Sequence, residues 1–394
     1  MEQIHTTACT VCQSPRAAVF MEAPGSPVIC NVLWPTRAAA LEAPRADIRL
    51  AFCPHCGHIF NPDFDPAIMD YNVAYENSLH FSPRFQQYVE ALAADLVQRY
   101  DLRQKDVIDI GGGKGDFLKL ICELGDNRGL SIDPSYAPAP QDGPVDPRLT
   151  FVQDYYSEAY ADRRADFIAS RHTIEHIQHP VAFMQTIRRT IGDRSEIVLF
   201  FEAPNARFTL HDMAIWDIIY EHCSYFTAHS LGYLFARCGF AVLDVRESFG
   251  GQFLCIEARP AQQAEPTRDA QAVDAIAHDV AVFAERRAQK MAQEAATLAQ
   301  WRRDGKKVVV WGAGSKGITY LNALNTQDQI AYVVDVNPRK HGMFITGAGQ
   351  EIVPPARLRE YQPDVILVMN PIYLDEIRQM LAGIEVTAEL VPAL

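Results

Sequence analysis

Between residues 107 and 133 the chain sets one strict demand on its backbone. Val107-Ile108-Asp109-Ile110 is short and apolar, as a strand buried inside a parallel sheet must be. Gly111-Gly112-Gly113-Lys114-Gly115 follows. Glycines there let the main chain turn tightly and approach a ligand that a Cβ would exclude. Asp116 to Leu124 then places apolar residues at helical spacing, and Leu130-Ser131-Ile132-Asp133 reads as a second strand. Asp133 stands eighteen residues after Gly115, where a nucleoside's ribose hydroxyls would lie. The pattern predicts a strand, glycine loop, helix and strand that bind a nucleoside cofactor.

The spacing says which kind. A nicotinamide fingerprint would read G-x-G-x-x-G. Here it is Asp109-x-Gly111-x-Gly113-x-Gly115, with an acid leading the loop. This resembles the first motif of class I methyltransferases, which bind S-adenosylmethionine. The resemblance implies Asp109 near the cofactor's amino-acid end and Asp133 on its ribose. It also implies Asp154, in Phe151-Val152-Gln153-Asp154, near the adenine amino group. From the residues alone, Asp133 and Asp154 could equally be solvated caps.

At 394 residues the chain reads as roughly two to three domains. A net charge of −13, with no basic stripe, argues against nucleic acid and for a small-molecule substrate. No apolar run approaches the roughly 20 residues that span a bilayer. The first residues lack the basic and apolar regions of a signal peptide, so a cytoplasmic, non-membrane protein is expected. Its oligomeric state is not readable.

Four of the nine cysteines form two C-x-x-C pairs, Cys9/Cys12 and Cys53/Cys56. In a reducing compartment such pairs are metal knuckles more often than disulfides. Four thiolates suit tetrahedral Zn²⁺ and leave no open position for catalysis, so structural zinc is expected, with a redox pair or free thiols as alternatives.

The remainder divides accordingly. Residues 1–70 read as a zinc-binding module and 71–260 as the cofactor domain. In that domain, 165–170 and 196–201 are further strands, and Leu243–Glu257 is a late hairpin interrupted by Gly250-Gly251. Residues 261–303 carry Val273, Ile276, Val280 and Phe283 at helical spacing, which predicts a connector with one apolar face. Residues 304–394 begin a second nucleotide-like unit: Val308-Val309-Val310-Trp311, the loop Gly312-Ala-Gly314-Ser-Lys316-Gly317, and Asp335. Lys316 and Lys340 could meet a phosphate there. By itself this loop would suit an NAD-dependent oxidoreductase, or a non-catalytic unit that only packs. The unit is short for a hydride-transfer site.

Residues 216–226, Trp-Asp-Ile-Ile-Tyr-Glu-His-Cys-Ser-Tyr-Phe, follow the fifth strand and should lie over the ligand-binding edge of the sheet. Tyr220, Glu221, His222 and Tyr225 bring two phenols, a carboxylate and an imidazole together. His222 is the candidate base, with Glu221 orienting it; a buried, hydrogen-bonded histidine is the plainer alternative.

Taken together, the Cys₄ knuckles, the glycine loop, Glu221-His222-x-x-Tyr225-Phe226, Gly250-Gly251 and the Gly312 loop with Asp335 and Lys340-x-Gly342 resemble the NDP-sugar C-methyltransferases along essentially the whole chain. That family is α/β: a class I, Rossmann-like methyltransferase core with an N-terminal Cys₄ zinc module and a smaller C-terminal Rossmann-like domain. The resemblance implies that His222 takes the proton next to a 4-keto group, that the enolate attacks the methyl group, and that the nucleotide-sugar lies between core and C-terminal domain. The chain departs from the family at Tyr220 and Ile219, where histidine and tyrosine are usual. It departs again at Phe249-Gly-Gly-Gln252, usually His-Gly-Gly-Ser, and at Arg171-His172, usually Asn-Asn. O- or N-methylation of another small metabolite or glycan intermediate therefore stays open.

His176 resembles a position beside the cofactor's sulfonium, or it caps the following helix. His172 and Arg171 face the same edge, His172 beside the cofactor, and both could contact an anionic substrate; Arg171 could equally bind an acidic neighbour. Tyr71 to His80, with Tyr75 and Ser78, suits a lid over the cofactor or a solvated loop.

Overall fold

A computed structural model describes residues 6–69, 75–137 and 146–393. The expected boundary at 70/71 and Tyr71 of the expected lid lie outside the described residues.

The apolar run before the first glycine loop forms the strand Asp106–Ile110, which pairs in parallel with Arg128–Ile132 on one side and Phe167–Arg171 on the other. Leu149–Val152 and Val198–Pro204 extend the parallel sheet outward. Phe253–Pro260 and Phe240–Ser248 then add antiparallel strands to make seven, with the turn between them at Gly250-Gly251. Strand order therefore reverses at Asp106–Ile110, and a crevice opens at its C-terminal end, the position where open α/β sheets bind ligands.

The glycine loop turns into that crevice and then into the helix Asp116–Gly125, which buries Phe117, Leu118, Ile121 and Cys122. Gly115 has φ +76°, and a Cβ on it would sit 2.1 Å from the Phe151 ring. Both facts require glycine.

A second sheet holds Thr6–Thr7, Ala17–Pro27, Arg45–Phe52 and Ile59–Phe60. Its fifth strand comes from far along the chain. Ser224 pairs with Phe60 and Tyr225 with Ile59, and Asn61 N donates to Cys223 O at 3.0 Å. Ile59 and Phe60 are both buried, so this edge is covered rather than left to solvent.

The third sheet is all parallel, in the order Glu351–Val353, Ile330–Val334, Val308–Trp311, Val365–Val368, Glu389–Pro392. The helix Ala270–Arg303 joins the parts, buries Val273, Ile276, Val280 and Phe283, and sets Phe283 edge-on to Phe20 at 6.2 Å. One apolar cluster runs through the N-terminal sheet, residues 206–225, this helix and one face of the C-terminal sheet. Among the described residues no helix is long and apolar enough to cross a membrane.

Gly115→Ala should lower stability by about 1–3 kcal/mol in urea denaturation, combining backbone strain with overpacking against Phe151. Gly305→Ala, at φ +68° with open space around it, isolates the backbone part and should cost less. Equal losses would contradict the steric reading.

Candidate active site

The first glycine loop is locked by hydrogen bonds to its partner strand. Gly111 N donates to Ile132 O at 2.9 Å, and Gly113 N to Asp133 Oδ2 at 2.7 Å. Asp133 Oδ1 accepts from Ser135 N at 2.7 Å and from its hydroxyl at 2.6 Å. The second loop repeats the lock: Gly312 N to Val334 O at 2.8 Å, Ala313 N to Asp335 Oδ2 at 2.8 Å, and Asn337 N to Asp335 Oδ1 at 2.8 Å.

Asp109 is buried, and neither of its oxygens has a hydrogen-bond partner among the described residues. Burial lifts its carboxyl to about 7 and Asp133 adds to this, while Arg171 opposes it. A buried carboxyl without a donor is costly unless something supplies one.

Two cavities meet over the sheet edge. One, of about 330 Å³, is lined by Asp109, Gly111, Gly113, Asp133, Tyr155 and Tyr156. The other, of about 280 Å³, lies between the core and the C-terminal unit and is lined by Glu175, His222, Gln252, Gly312, Lys316 and Lys340. Tyr75, Ser78, His172 and His176 line both.

His222 is presented by the turn just before Ser224–Tyr225, so the N-terminal sheet fixes its place. Its ring lies 5.0 Å from that of His176, edge to face. Burial pushes its pKa down to about 3, helped by His176 and His172 and opposed by Glu175. Nδ1 of His176 faces the Glu221 carbonyl at 3.0 Å. Glu175, His176 and His222 offer ligand atoms within 4.8 Å of one another, and so do the four cysteines of the two knuckles.

His172 behaves oppositely. Its Nε2 lies 2.9 Å from Glu202 Oε1 and its Nδ1 3.6 Å from Glu175 Oε1. Burial alone would lower its pKa, but these carboxylates hold it up at about 9. Its φ of +51° is a strained left-handed backbone for a histidine. Glu202 is fully buried. Burial would raise its carboxyl, yet Arg171 and His172 hold it down at about 2.

Several expected residues stand elsewhere. Glu221 does not orient His222: its carboxylate accepts from Cys30 N at 2.5 Å and from the Tyr75 hydroxyl at 3.0 Å. The Tyr220 hydroxyl accepts from Asp65 N at 2.9 Å, with its ring on Phe64, away from either cavity. The Tyr225 hydroxyl closes on Ile219, accepting from N and donating to O. Tyr225 lies in the strand that pairs with the N-terminal sheet, and Tyr220, in the turn before it, is held by Asp65 and Phe64. Arg171 pairs with Glu202 at 3.1 Å, the acidic-neighbour alternative. Asp154 lies outside the cofactor-side cavity and takes the Tyr160 hydroxyl at 2.6 Å. Lys316 donates to Gln252 Oε1 at 2.8 Å and Lys340 to Ala313 O at 2.9 Å, and both line the second cavity.

Sequence reasoning passed over Glu202 and Glu175. The only signal for Glu202 was a carboxylate closing the apolar run Val198–Phe201.

A family model described as a methyltransferase domain matches residues 85–245, and one described as a C-methyltransferase C-terminal domain matches 258–391. With the two loops and the seven-stranded sheet, these make the chain an S-adenosylmethionine-dependent methyltransferase of class I fold. C-methyltransferase NovU of Streptomyces niveus is 27% identical over 321 residues, 74% of this chain and 72% of that protein. The chain belongs to the S-adenosylmethionine-dependent C-methyltransferase family. Solved structures similar to it include a SAM dependent methyltransferase from Aquifex aeolicus (16% identity, TM-score 0.37, covering 46% of this chain and 95% of that one). Another is the 1,6-didemethyltoxoflavin-N1-methyltransferase of Burkholderia thailandensis (16%, 0.36, 52% and 96%).

The His172 shift has a stability consequence. Its folded value, about 9, is above the ordinary 6.5. The stabilisation it contributes is therefore complete below about pH 6.5 and is lost as pH rises through about 9. Asn tolerates the left-handed backbone. His172→Asn should flatten the fall in melting temperature over that window, and an unchanged slope would assign the fall to another group.

Proposed function

We propose that the chain transfers a methyl group from S-adenosylmethionine to a carbon beside the keto group of a nucleotide-linked sugar. The observation that carries this reading is the junction of two cavities at Tyr75, Ser78, His172 and His176, with His222 in the wall of the second. Bound in the first, S-adenosylmethionine supplies an electrophilic methyl group. Asp109, a buried carboxyl lacking a donor, fits the cofactor's ammonium, and Asp133 fits its ribose hydroxyls. Tyr155 and Tyr156 line the cavity where Asp154 had been expected to meet adenine.

On the acceptor side, the Gly312 loop opens the helix Ser315–Ala323, whose N-terminus suits a diphosphate, and Lys316 and Lys340 line the cavity beside Asp217 at 3.2 Å and Asp335 at 3.7 Å respectively. His222 is unprotonated throughout the neutral range, so it accepts the α-proton without first losing one. A base of such low pKa drives proton transfer weakly. The enolate oxygen then needs nearby cations, and His172, Lys316 and Lys340 line the same cavity. Glu221 acts as a positioning residue, tying Tyr75 and Cys30 beneath the base. Gln252 favours a second reading, methylation of oxygen or nitrogen on another small metabolite. Its amide oxygen takes both Lys316 and Asn370 at 2.8 Å, so this part of the acceptor wall is committed to internal contacts.

We further propose that residues 1–70 are a zinc-binding module, 71–260 the methyltransferase domain, 261–303 the helical connector and 304–394 the nucleotide-binding-like domain. Cys9 Sγ lies 3.6 Å from Cys56 Sγ, and Cys12 Sγ 3.5 Å from Cys53 Sγ. These are near the edges of a tetrahedron built on a Zn–S bond of about 2.3 Å. Val11 N and Cys12 N also point at the Cys9 sulfur.

His222→Gln should keep adenosylhomocysteine affinity while turnover of a 4-keto sugar nucleotide falls about 10²- to 10⁴-fold. Unchanged turnover removes His222 from the reaction. With ¹³C-methyl cofactor, the product's chemical shift separates a C–CH₃ from an O–CH₃ or N–CH₃. Elemental analysis should find one zinc per chain, lost in Cys53→Ser. Wild-type protein purified without zinc, yet folded, would refute the metal site.

A further inference from the structure

Behind the active site lies a third cavity, of about 220 Å³, enclosed by the Ala23–Pro27 stretch, the segment Ile215–Ile219, the long helix and the helix that follows the Gly312 loop. It touches no residue of the two glycine loops. Its wall includes Arg287 and Met291. On the long helix the buried stripe runs Val273, Ile276, Val280, Phe283, and a step of four reaches Arg287. The chain thus places a guanidinium where its pattern calls for an apolar side chain. Glu294, farther along the helix, has a partner in the Tyr320 hydroxyl at 3.2 Å. Arg287 makes no hydrogen bond or ion pair among the described residues, and burial with no opposing carboxylate pulls its pKa down. Trp216, in the same wall and 2% exposed, carries an indole N–H with no acceptor among the described residues.

We propose that this cavity is a binding site for a small organic acid, whose carboxylate pairs with Arg287 and whose apolar body lies among Pro24, Pro27, Ile215 and Ile218. A partly buried guanidinium is expensive without an anion, and its planar fork suits a carboxylate held through two parallel hydrogen bonds. The apolar lining argues for a ligand with a hydrocarbon body rather than a bare inorganic anion. At about 220 Å³ it is the smallest of the three cavities described, which suits a small acid. The cavity adjoins the acceptor site at Ile219, which lines both. Asp217, within Ile215–Ile219, pairs with Lys316 at 3.2 Å, and Cys30, also in the lining, holds Glu221.

Benzoate and isovalerate, each titrated calorimetrically into the full-length protein, test this, with inorganic phosphate as the apolar-free control. Wild type should show saturable binding of at least one acid and a shifted Trp216 indole N–H resonance, assigned with Trp216→Phe. Arg287→Met should weaken that binding at least about tenfold, as loss of hydrogen bonds from a charged donor requires. It should leave circular dichroism and adenosylhomocysteine affinity unchanged. Arg287→Lys, which keeps the charge and loses the fork, should fall between the two and serves if Arg287→Met does not fold. The proposal is overturned if neither acid saturates wild type, if both variants bind like wild type, or if phosphate binds as tightly as the acids. None of these outcomes bears on whether His222 is the base.

Discussion

Two residue pairs, Ser224 with Phe60 and Tyr225 with Ile59, decide where the candidate base stands. They make the segment that follows His222 the last strand of a sheet whose other strands come from the first sixty residues. Glu221 lies just outside that ladder, fully buried, with its carboxylate held by Cys30 N and the Tyr75 hydroxyl. His222 is therefore fixed on both sides, by backbone pairing and by a buried carboxyl whose hydrogen bonds are made. A base on a free loop would pay in disorder for every alignment. His222 is aligned by folding, because the ladder and the Glu221 contacts form with the core.

The same logic explains the two glycine loops. In each, an acid at the end of the second strand accepts N–H groups from the loop and from two residues beyond itself. Such a carboxylate is structural before it is functional, since it freezes the loop with its remaining lone pairs free for a ligand. The repetition gives the molecule two similar clefts that face each other across Tyr75, Ser78, His172 and His176. A transfer reaction needs two reactants held close together, and this geometry provides for both.

Much of this could be read from local pattern. Gly111 to Asp133 and Gly312 to Asp335 announce themselves because a tight turn and a near backbone approach tolerate little but glycine. The stripe from Val273 to Phe283 follows from helical period alone. Positions that depend on distant chain were not readable. Tyr220 and Tyr225 seemed to belong with His222 because they neighbour it in sequence. In the fold one hydroxyl instead meets Asp65 N and the other turns back onto Ile219. Glu221 looked like the partner of His222 for the same reason, and a backbone N–H 191 residues away claimed it. Glu202 was hidden because its role depends on Arg171, His172 and Tyr88, which only the folded sheet edge assembles.

The electrostatics of that edge carry the chemistry further. His172 and His222 line one cavity, yet their surroundings move them in opposite directions, one held protonated by Glu202 and Glu175, the other kept neutral chiefly by burial. Groups driven apart in this way mark an acid–base division of labour. The neutral imidazole can receive a proton. The charged one makes developing negative charge nearby less costly. Where the related family carries Asn, this chain carries His172, and it supports that histidine with a buried carboxylate of its own. A neutral amide offers only a dipole to an enolate oxygen, whereas an imidazolium offers full charge. On the proposed reading His222 is a weak base, and a weak base calls for that stronger stabilisation.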